Sequence, residues 1–93
     1  MLYLVAQGSE SQQRWRRPLL TGQSTTLGRT GAGWNAEWDE QISRVHAELT
    51  MDGRRLRVKR CGESTNPVFF RGKELDEFLV SPGEHFVIGG TRF

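Results

Sequence analysis

The sequence has one cysteine, three prolines and no apolar run that approaches the roughly 20 residues needed to span a bilayer. Because Cys61 is alone, no intrachain disulfide can form, and one thiol with two histidines is a poor ligand set for structural zinc. The opening residues Met1–Ala6 are too short for a signal peptide. We therefore expect a cytoplasmic protein that needs no cofactor or metal and has no membrane partner.

The chain is also too short for a second hydrophobic core. Its 93 residues, 35% hydrophobic and 26% charged, suit one globular domain. The sequence stops at Phe93, inside a segment that has the character of a strand. We expect residues 1–93 to be a single domain that forms the N-terminal module of a longer protein.

The positive charge is carried almost wholly by arginine, with 11 Arg against 2 Lys at a net charge of +2. A guanidinium can hold a phosphate through two parallel hydrogen bonds, so this composition is consistent with an anionic ligand, although high-GC codon usage would give the same bias. Acidic residues such as Asp39-Glu40 and Asp76-Glu77 interrupt the basic ones. No continuous basic face is visible, which argues against nucleic acid as the partner.

Short apolar segments separated by turn residues at intervals of roughly eight to twelve residues predict an all-β sandwich or barrel. The clearest is a hairpin in which Ala47 and Leu49 lead to a turn at Asp52-Gly53, and Leu56 and Val58 then alternate with charged residues. The segment Thr30–Glu37 is predicted to be an ordered loop. The other predicted strands are residues 3–6, 14–17, 24–27, 68–70, 78–80, 86–88 and 91–93, and the only helix considered is a single turn over residues 36–41.

Three local patterns carry the chemistry: Gly28-Arg29, then Ser43-Arg44-Val45-His46, then Ser64-Thr65-Asn66. They are followed by Gly72 and by a run from Pro82 to Gly89. This ordered set resembles the forkhead-associated (FHA) domain family, whose signature is a Gly-Arg pair, a Ser-x-x-His motif and a Ser/Thr-x-Asn-type loop. The resemblance covers roughly residues 3–93 and implies an FHA-type β-sandwich of about eleven short, mainly antiparallel strands, with binding loops at one end.

The resemblance implies a recognition module for phosphothreonine peptides and not an enzyme. Such a ligand carries about 1.5 to 2 negative charges and three acceptor oxygens, which guanidinium and hydroxyl donors can satisfy. By similarity, Arg29 and Ser43 hold the phosphate, Thr65 assists, and Arg44 adds a second positive contact. Asn66 would bond to the peptide main chain just after the phosphothreonine. The expected partner is a phosphothreonine-containing protein or peptide that an upstream Ser/Thr protein kinase has modified.

Selectivity along the peptide would fall, by the same resemblance, to Gln41 and to the Gly89-Gly90 turn. The neighbouring acidic residues Glu37, Asp39 and Glu40 are expected to disfavour strongly acidic peptides.

A structural role is expected for His46, whose ring would brace the binding loops. Gly28 and Gly72, like Gly83 and Gly89, are predicted to occupy turns with unusual backbone angles. Two residues depart from the family pattern: Pro67 follows Asn66 where glycine is usual, and Arg71 precedes Gly72 where asparagine is common.

Three other functions compete with this interpretation. A hydrolase could use Ser43, His46 and Asp39, but residues three apart on a strand face opposite sides, and nothing nearby predicts the sharp turn that would pair Ser43 with His46. An FHA scaffold could instead associate without phosphate, through a neighbouring domain or a second copy. Nucleic-acid binding would use the basic cluster of Arg55, Arg57, Lys59 and Arg60, which we interpret as a solvated strand face.

The tryptophans are expected to pack and not to form a binding platform. Trp15 is predicted to lie within the sandwich. Trp34 and Trp38 flank the loop after Arg29, and packing beneath that loop is favoured over contact with a peptide.

Overall fold

The computed structural model describes all residues, 1–93, and consists of strands and turns without a helix. The strands in chain order are β1 (Leu2–Gln7), β2 (Arg14–Leu19), β3 (Ser24–Gly28), β4 (Trp34–Asn35), β5 (Ala47–Asp52), β6 (Arg55–Arg60), β7 (Val68–Phe70), β8 (Lys73–Glu74), β9 (Glu77–Val80), β10 (Phe86–Ile88) and β11 (Thr91–Arg92).

The strands form two sheets that pack face to face. The six-stranded sheet has the order β2-β1-β11-β10-β7-β8, and the five-stranded sheet has the order β4-β3-β5-β6-β9. Every pairing is antiparallel except that of β3 with β4. The predicted all-β sandwich is therefore confirmed. The structure contains no helix with the length and apolar character needed to cross a membrane.

Strict alternation in the β5–β6 hairpin builds one wall of the core. Leu49 pairs with Val58 and Met51 with Leu56, and all four side chains are buried, whereas the residues between them face solvent. Aromatic rings fill the space between the sheets: Phe70 of β7 stacks on Phe78 of β9 in the other sheet at 4.6 Å, and Phe86 stacks on Phe93, just after β11, at 5.2 Å between centroids.

The three tryptophans pack against this core, as the sequence predicts. The indole N–H of Trp15 donates to the Asn35 carbonyl at 2.8 Å, and its ring meets the edge of Trp34 at 6.1 Å. The indole N–H of Trp38 donates to the Thr91 hydroxyl at 3.0 Å. These two bonds tie residues 35–38, after β3, to the six-stranded sheet.

Part of the segment predicted to be a loop, Thr30–Glu37, forms the short strand β4, which runs parallel to β3 with Leu27 beside Trp34. Gly33 permits this close approach, because a Cβ there would lie 2.8 Å from the Thr25 hydroxyl oxygen. A two-residue strand has too little alternation to be detected in a sequence. The predicted helical turn over residues 36–41 is also absent, and non-helical turns replace it.

The predicted tight turn at Arg71-Gly72 joins β7 to β8, with φ of 54° and 75° at the two residues. Two successive positive φ angles suit the twist of a short hairpin. Arg71, which stands where the family usually has asparagine, donates from Nε to Glu84 at 2.8 Å and covers the Phe70 ring at 4.9 Å. By its bond to Glu84, Arg71 thus attaches this hairpin to the turn before β10.

Strand β1 has an open edge. It pairs with β2 along its whole length but with β11 only at Gln7 and Arg92. A cleft of about 410 Å³ lies beside this edge, floored by Leu4, Leu56 and Val80 and bordered by the turn at 81–84.

A groove between three strand-end loops

Three loops meet at one edge of the five-stranded sheet: the loops that follow β3, precede β5 and follow β6. The strands β3, β5 and β6 are consecutive antiparallel neighbours, so the end of β3, the start of β5 and the end of β6 lie side by side. The loops line a groove of about 810 Å³. The predicted ligand-contacting residues that line it are Arg29, Gln41, Ser43, Arg44, Thr65 and Asn66.

The backbone of Arg29 is fixed against the loop before β5. Its N–H donates to the carbonyls of Ser43 at 3.0 Å and Arg44 at 3.2 Å, and the Gly31 N–H adds a bond to Arg44 at 3.1 Å. The prediction of an unusual backbone angle at Gly28 is wrong, since its φ is not positive. Glycine is needed there for close approach, because a Cβ would collide with the Arg44 carbonyl oxygen and lie 2.9 Å from the Val45 Cα.

The Arg29 side chain has no partner within the protein. It takes part in none of the four ion pairs of the structure. Its Nε atom is buried and makes no hydrogen bond. A buried donor without an acceptor costs about 1 to 3 kcal/mol, and more when the group is charged, so this guanidinium is poised for an acceptor from outside the chain.

Two hydroxyls lie in the same groove as this guanidinium. The Thr65 N–H donates to the Ser43 hydroxyl oxygen at 3.1 Å, which joins the loop after β6 to the loop before β5. Because that oxygen accepts the bond, the hydroxyl proton of Ser43 remains free to be donated. The Thr65 side chain is exposed and its hydroxyl makes no hydrogen bond within the protein.

His46 lies behind the groove, fully buried, and links the same two loops through its ring. Nδ1 accepts the Ser43 N–H at 3.0 Å, so Nε2 carries the proton and donates to the Asn66 carbonyl at 2.8 Å. Burial lowers the pKa of His46 below its ordinary value of 6.5, against the upward effect of the bond to Asn66. The neutral ring therefore holds the two loops at a fixed separation.

Ser43 and His46 do approach each other, contrary to the expectation from strand geometry, because residues 43–46 are not yet in a strand and β5 begins at Ala47. The contact nevertheless does not activate the serine. The ring accepts the main-chain N–H of Ser43, the serine hydroxyl accepts from Thr65, and both ring nitrogens are occupied.

The one thiol is not activated, and the metal-ligating side chains are dispersed. Burial raises the pKa of the Cys61 thiol, with the carboxylates of Glu48 and Glu63 acting in the same direction. No group of three or more His, Cys, Asp or Glu side chains is arranged to hold a metal ion.

Asn66 connects the loop after β6 to the loop before β5, which lie on the two sides of the groove. Its side-chain N–H donates to the Gln41 carbonyl at 2.8 Å, which leaves the second amide proton and the side-chain oxygen without a partner in the protein. Pro67 restricts Asn66 to extended backbone conformations and so helps to fix the direction of this amide.

Asp39 has a structural role that the sequence did not indicate. One carboxylate oxygen accepts the Gly90 N–H and the Thr91 hydroxyl, each at 2.8 Å, and the other accepts the Gln41 N–H at 3.0 Å. The carboxylate is thereby occupied, so Asp39 is neither the orienting group of a catalytic triad nor a free charge facing a peptide. The bond to the Gln41 N–H, two residues on, is a local contact that aspartate commonly makes in turns.

The Gly89-Gly90 turn lies behind Gln41 and does not line the groove. Gly89 has a φ of 58°, and a Cβ there would lie 2.8 Å from the Gln41 Cβ. Gly72, in contrast, is remote from the groove, and an added Cβ would have no heavy atom within 4 Å.

The charges that flank the groove also differ from expectation. Glu37 does not line it, whereas Glu40 does, together with Glu63, which belongs to none of the motifs in the sequence. Glu63 lies in an irregular loop whose spatial neighbours no periodicity reveals. The cluster on β6, by contrast, is a solvated face as predicted: Arg57 pairs with Glu77 at 3.2 Å and Arg60 with Asp76 at 2.9 Å.

A β-sandwich that gathers unpaired donors on strand-end loops is a recognition module in its architecture, with its ligand surface on the loops. Residues 25–89 match the family model described as the FHA domain. The chain belongs to the FHA domain family, whose members are recognition modules and generally not enzymes.

Solved structures share the fold. The FHA domain of the CT664 protein from Chlamydia trachomatis is 18% identical, covers 98% of this chain and 93% of its own, and has a TM-score of 0.76. The Slr1951 protein from Synechocystis sp. is 21% identical, with 97% and 92% coverage and a TM-score of 0.78.

A third similar structure is the FhaA FHA domain in complex with the intracellular domain of Rv3910. It is 21% identical, covers 96% of each chain and has a TM-score of 0.74. A structure described under phosphothreonine-dependent FHA domain interactions is 22% identical, with 98% and 92% coverage and a TM-score of 0.74. No curated protein matches the sequence.

Proposed function

We propose that the groove binds a phosphothreonine-containing segment of a partner protein. The observation that carries the proposal is the Arg29 guanidinium, which lies in a groove with two hydroxyls, has a buried Nε without an acceptor and forms no ion pair. A phosphate monoester supplies three acceptor oxygens and about 1.5 to 2 negative charges, which match donors converging from several loops.

Each residue has a definite role in this proposal. Arg29 makes the charged contact, Ser43 and Thr65 donate their hydroxyl protons, and Arg44, exposed at the rim and free of ion pairs, adds a second cation. Asn66 uses its remaining amide proton and oxygen to hold the peptide main chain after the phosphothreonine. The similar structure described under phosphothreonine-dependent interactions supports this ligand class, and the one in complex with an intracellular domain supports a protein partner.

The experiment is a titration of a phosphothreonine peptide library, and then of single peptides, against the wild-type protein and Arg29→Ala. We expect the substitution to cost about 2 to 5 kcal/mol of binding, because it removes one member of a desolvated charge pair. Arg29→Lys should recover only part of the loss, since an ammonium cannot make two parallel bonds. Isothermal titration calorimetry measures both.

The matched control is Arg55→Ala, which removes an exposed arginine on β6, outside the groove. It should leave the affinity unchanged. Equal affinity of the wild-type protein for phosphorylated and unphosphorylated peptides would reject the proposal.

The proposed ligand class also implies a cellular setting. The partner would be phosphorylated by a Ser/Thr protein kinase, in signal transduction within the cytoplasm.

A second candidate function is association without phosphate, through the outer face of the six-stranded sheet. Tyr3, Val5 and Phe69 are 44%, 43% and 40% exposed on this sheet, and Arg16 lies over the Tyr3 ring at 4.5 Å. Tyr and Arg are common at the centres of protein interfaces. Partner binding that survives combined Arg29→Ala and Ser43→Ala substitutions, and is lost on Tyr3→Ala, would favour this function.

A further inference from the structure

The groove contains carboxylates that nothing in the protein neutralises. Glu40 and Glu63 both line it, both are exposed, and neither has a Lys or Arg nitrogen within 4.0 Å. Arg60, three residues before Glu63, already has partners within the protein. Its Nε donates to Asp76 at 2.9 Å, and its Nη1 donates to the carbonyl and hydroxyl oxygens of Ser64 at 3.0 Å each.

The two glutamates stand next to the residues that would hold the ligand. Glu40 directly precedes Gln41, whose carbonyl accepts the Asn66 amide across the groove at 2.8 Å. Glu63 precedes Thr65 by two residues, and the Thr65 N–H donates to Ser43 at 3.1 Å. A peptide held by its phosphate and by its main chain at Asn66 would therefore pass between Glu40 and Glu63, which lie on the two sides of the groove.

We propose that the groove selects phosphothreonine segments in which lysine or arginine residues flank the phosphothreonine, and that Glu40 and Glu63 read those cations. This inference rests on the proposed function. Arg29 and Arg44 would be neutralised by the phosphate, which leaves the two carboxylates to attract basic side chains and to repel acidic ones. The supplying reaction is then phosphorylation by a kinase that selects threonines in basic surroundings.

The test uses one peptide core with lysine, glutamine or glutamate at the two positions on either side of the phosphothreonine. Fluorescence anisotropy at low salt should give the affinity order lysine, glutamine, glutamate, with about a tenfold advantage of lysine over glutamine, as expected for two exposed carboxylates several ångströms from the added charges. The advantage should shrink as salt is raised.

The combined Glu40→Gln and Glu63→Gln variant should reduce the lysine-over-glutamine ratio to nearly one. The two single variants show how much each glutamate contributes to the lysine preference. Glu40→Gln should reduce the preference for lysines that follow the phosphothreonine. The matched control is Glu37→Gln, an exposed carboxylate on the same loop as Glu40 that does not line the groove, and it should keep the wild-type ratio.

Equal affinities for the three peptides, a preference for glutamate, or a lysine preference that persists in the double variant would each overturn the inference. Comparing the affinities of the glutamine peptide with and without its phosphate tests the proposed function separately. If phosphate increases the affinity of that peptide but the flanking charges do not matter, only the inference fails. If phosphate has no effect, the proposed function fails first.

Discussion

Among the residues at the site, His46 shows how one buried ring can hold a loop surface together without touching a ligand. Its two nitrogens satisfy a main-chain donor of Ser43 and a main-chain acceptor of Asn66, the residues on either side of the groove. The bond from Ser43 needs the neutral ring, because a protonated Nδ1 can no longer accept, whereas Nε2 donates to Asn66 in either protonation state. The spacing of phosphate donors is therefore coupled to the protonation state of His46.

This coupling predicts a pH-dependent stability. Because the folded pKa of His46 lies below 6.5, the unfolded chain binds a proton first, and the free energy of unfolding should fall as the pH decreases from about 6.5 toward the folded pKa. The slope contributed by this group is at most about 1.4 kcal/mol per pH unit. Urea unfolding followed by tryptophan fluorescence between neutral and mildly acidic pH measures it.

His46→Gln should lose this slope and about 1 to 3 kcal/mol of stability at neutral pH, because a buried main-chain group loses its partner. His85→Gln removes an exposed histidine and is the matched control, with the wild-type profile expected. Glu84 titrates in a separate range: the Ser81 N–H and the Arg71 side chain lower its pKa below 4.5, so its contribution is lost only in stronger acid. A His46→Gln variant that kept the wild-type slope would contradict the assignment.

At this scale the sequence predicted residue identities better than residue contacts. Arg29, Ser43, Thr65 and Asn66 stand in motifs with a recognisable order, and all of them line one groove. The contact of Ser43 with His46 was missed because it depends on a turn that ends just before β5, and turns of that kind leave no periodic pattern.

At the scale of elements, the close packing of β3 against the loop before β5 positions Arg29. Gly28 ends β3 beneath the Arg44 carbonyl, where any Cβ would force the two segments apart. Gly28→Ala should therefore destabilise the protein by about 1 to 3 kcal/mol, as overpacking does, and should also weaken phosphopeptide binding. Chemical denaturation and peptide titration measure the two effects.

Gly62→Ala is the control for this substitution, because its added Cβ meets no heavy atom within 4 Å and Gly62 has no positive φ. The free energy of unfolding should change by less than about 0.5 kcal/mol. Equal stability of the two alanine variants would contradict the close-approach role of Gly28.

The elements that the sequence predicted are those with clear alternation or strong turn residues. The β5–β6 hairpin and the Arg71-Gly72 turn belong to this group. Strands β4 and β8 were missed because two residues carry no period and their pairing is set by tertiary neighbours. The strand predicted over residues 14–17 ends before Pro18, yet β2 runs through Pro18 to Leu19, which an edge strand tolerates.

For the whole molecule, the sandwich separates stability from recognition. The apolar core and the stacked phenylalanines lie between the sheets, whereas the unpaired donors lie on loops beyond the strand ends. This arrangement explains why the fold could be predicted from patterns along the chain, and Glu40 from its place beside Gln41, while Glu63 could not be predicted: it comes from a loop 23 positions further along the sequence.

The most direct test of phosphate recognition is a heteronuclear NMR titration of the labelled protein with one peptide in phosphorylated and unphosphorylated form. We predict that only the phosphorylated peptide shifts the amides of Arg29, Ser43, Thr65 and Asn66, together with the Arg29 side-chain Nε–H. Shifts that appear with both peptides, or that concentrate on the outer face around Tyr3 and Val5, would contradict it.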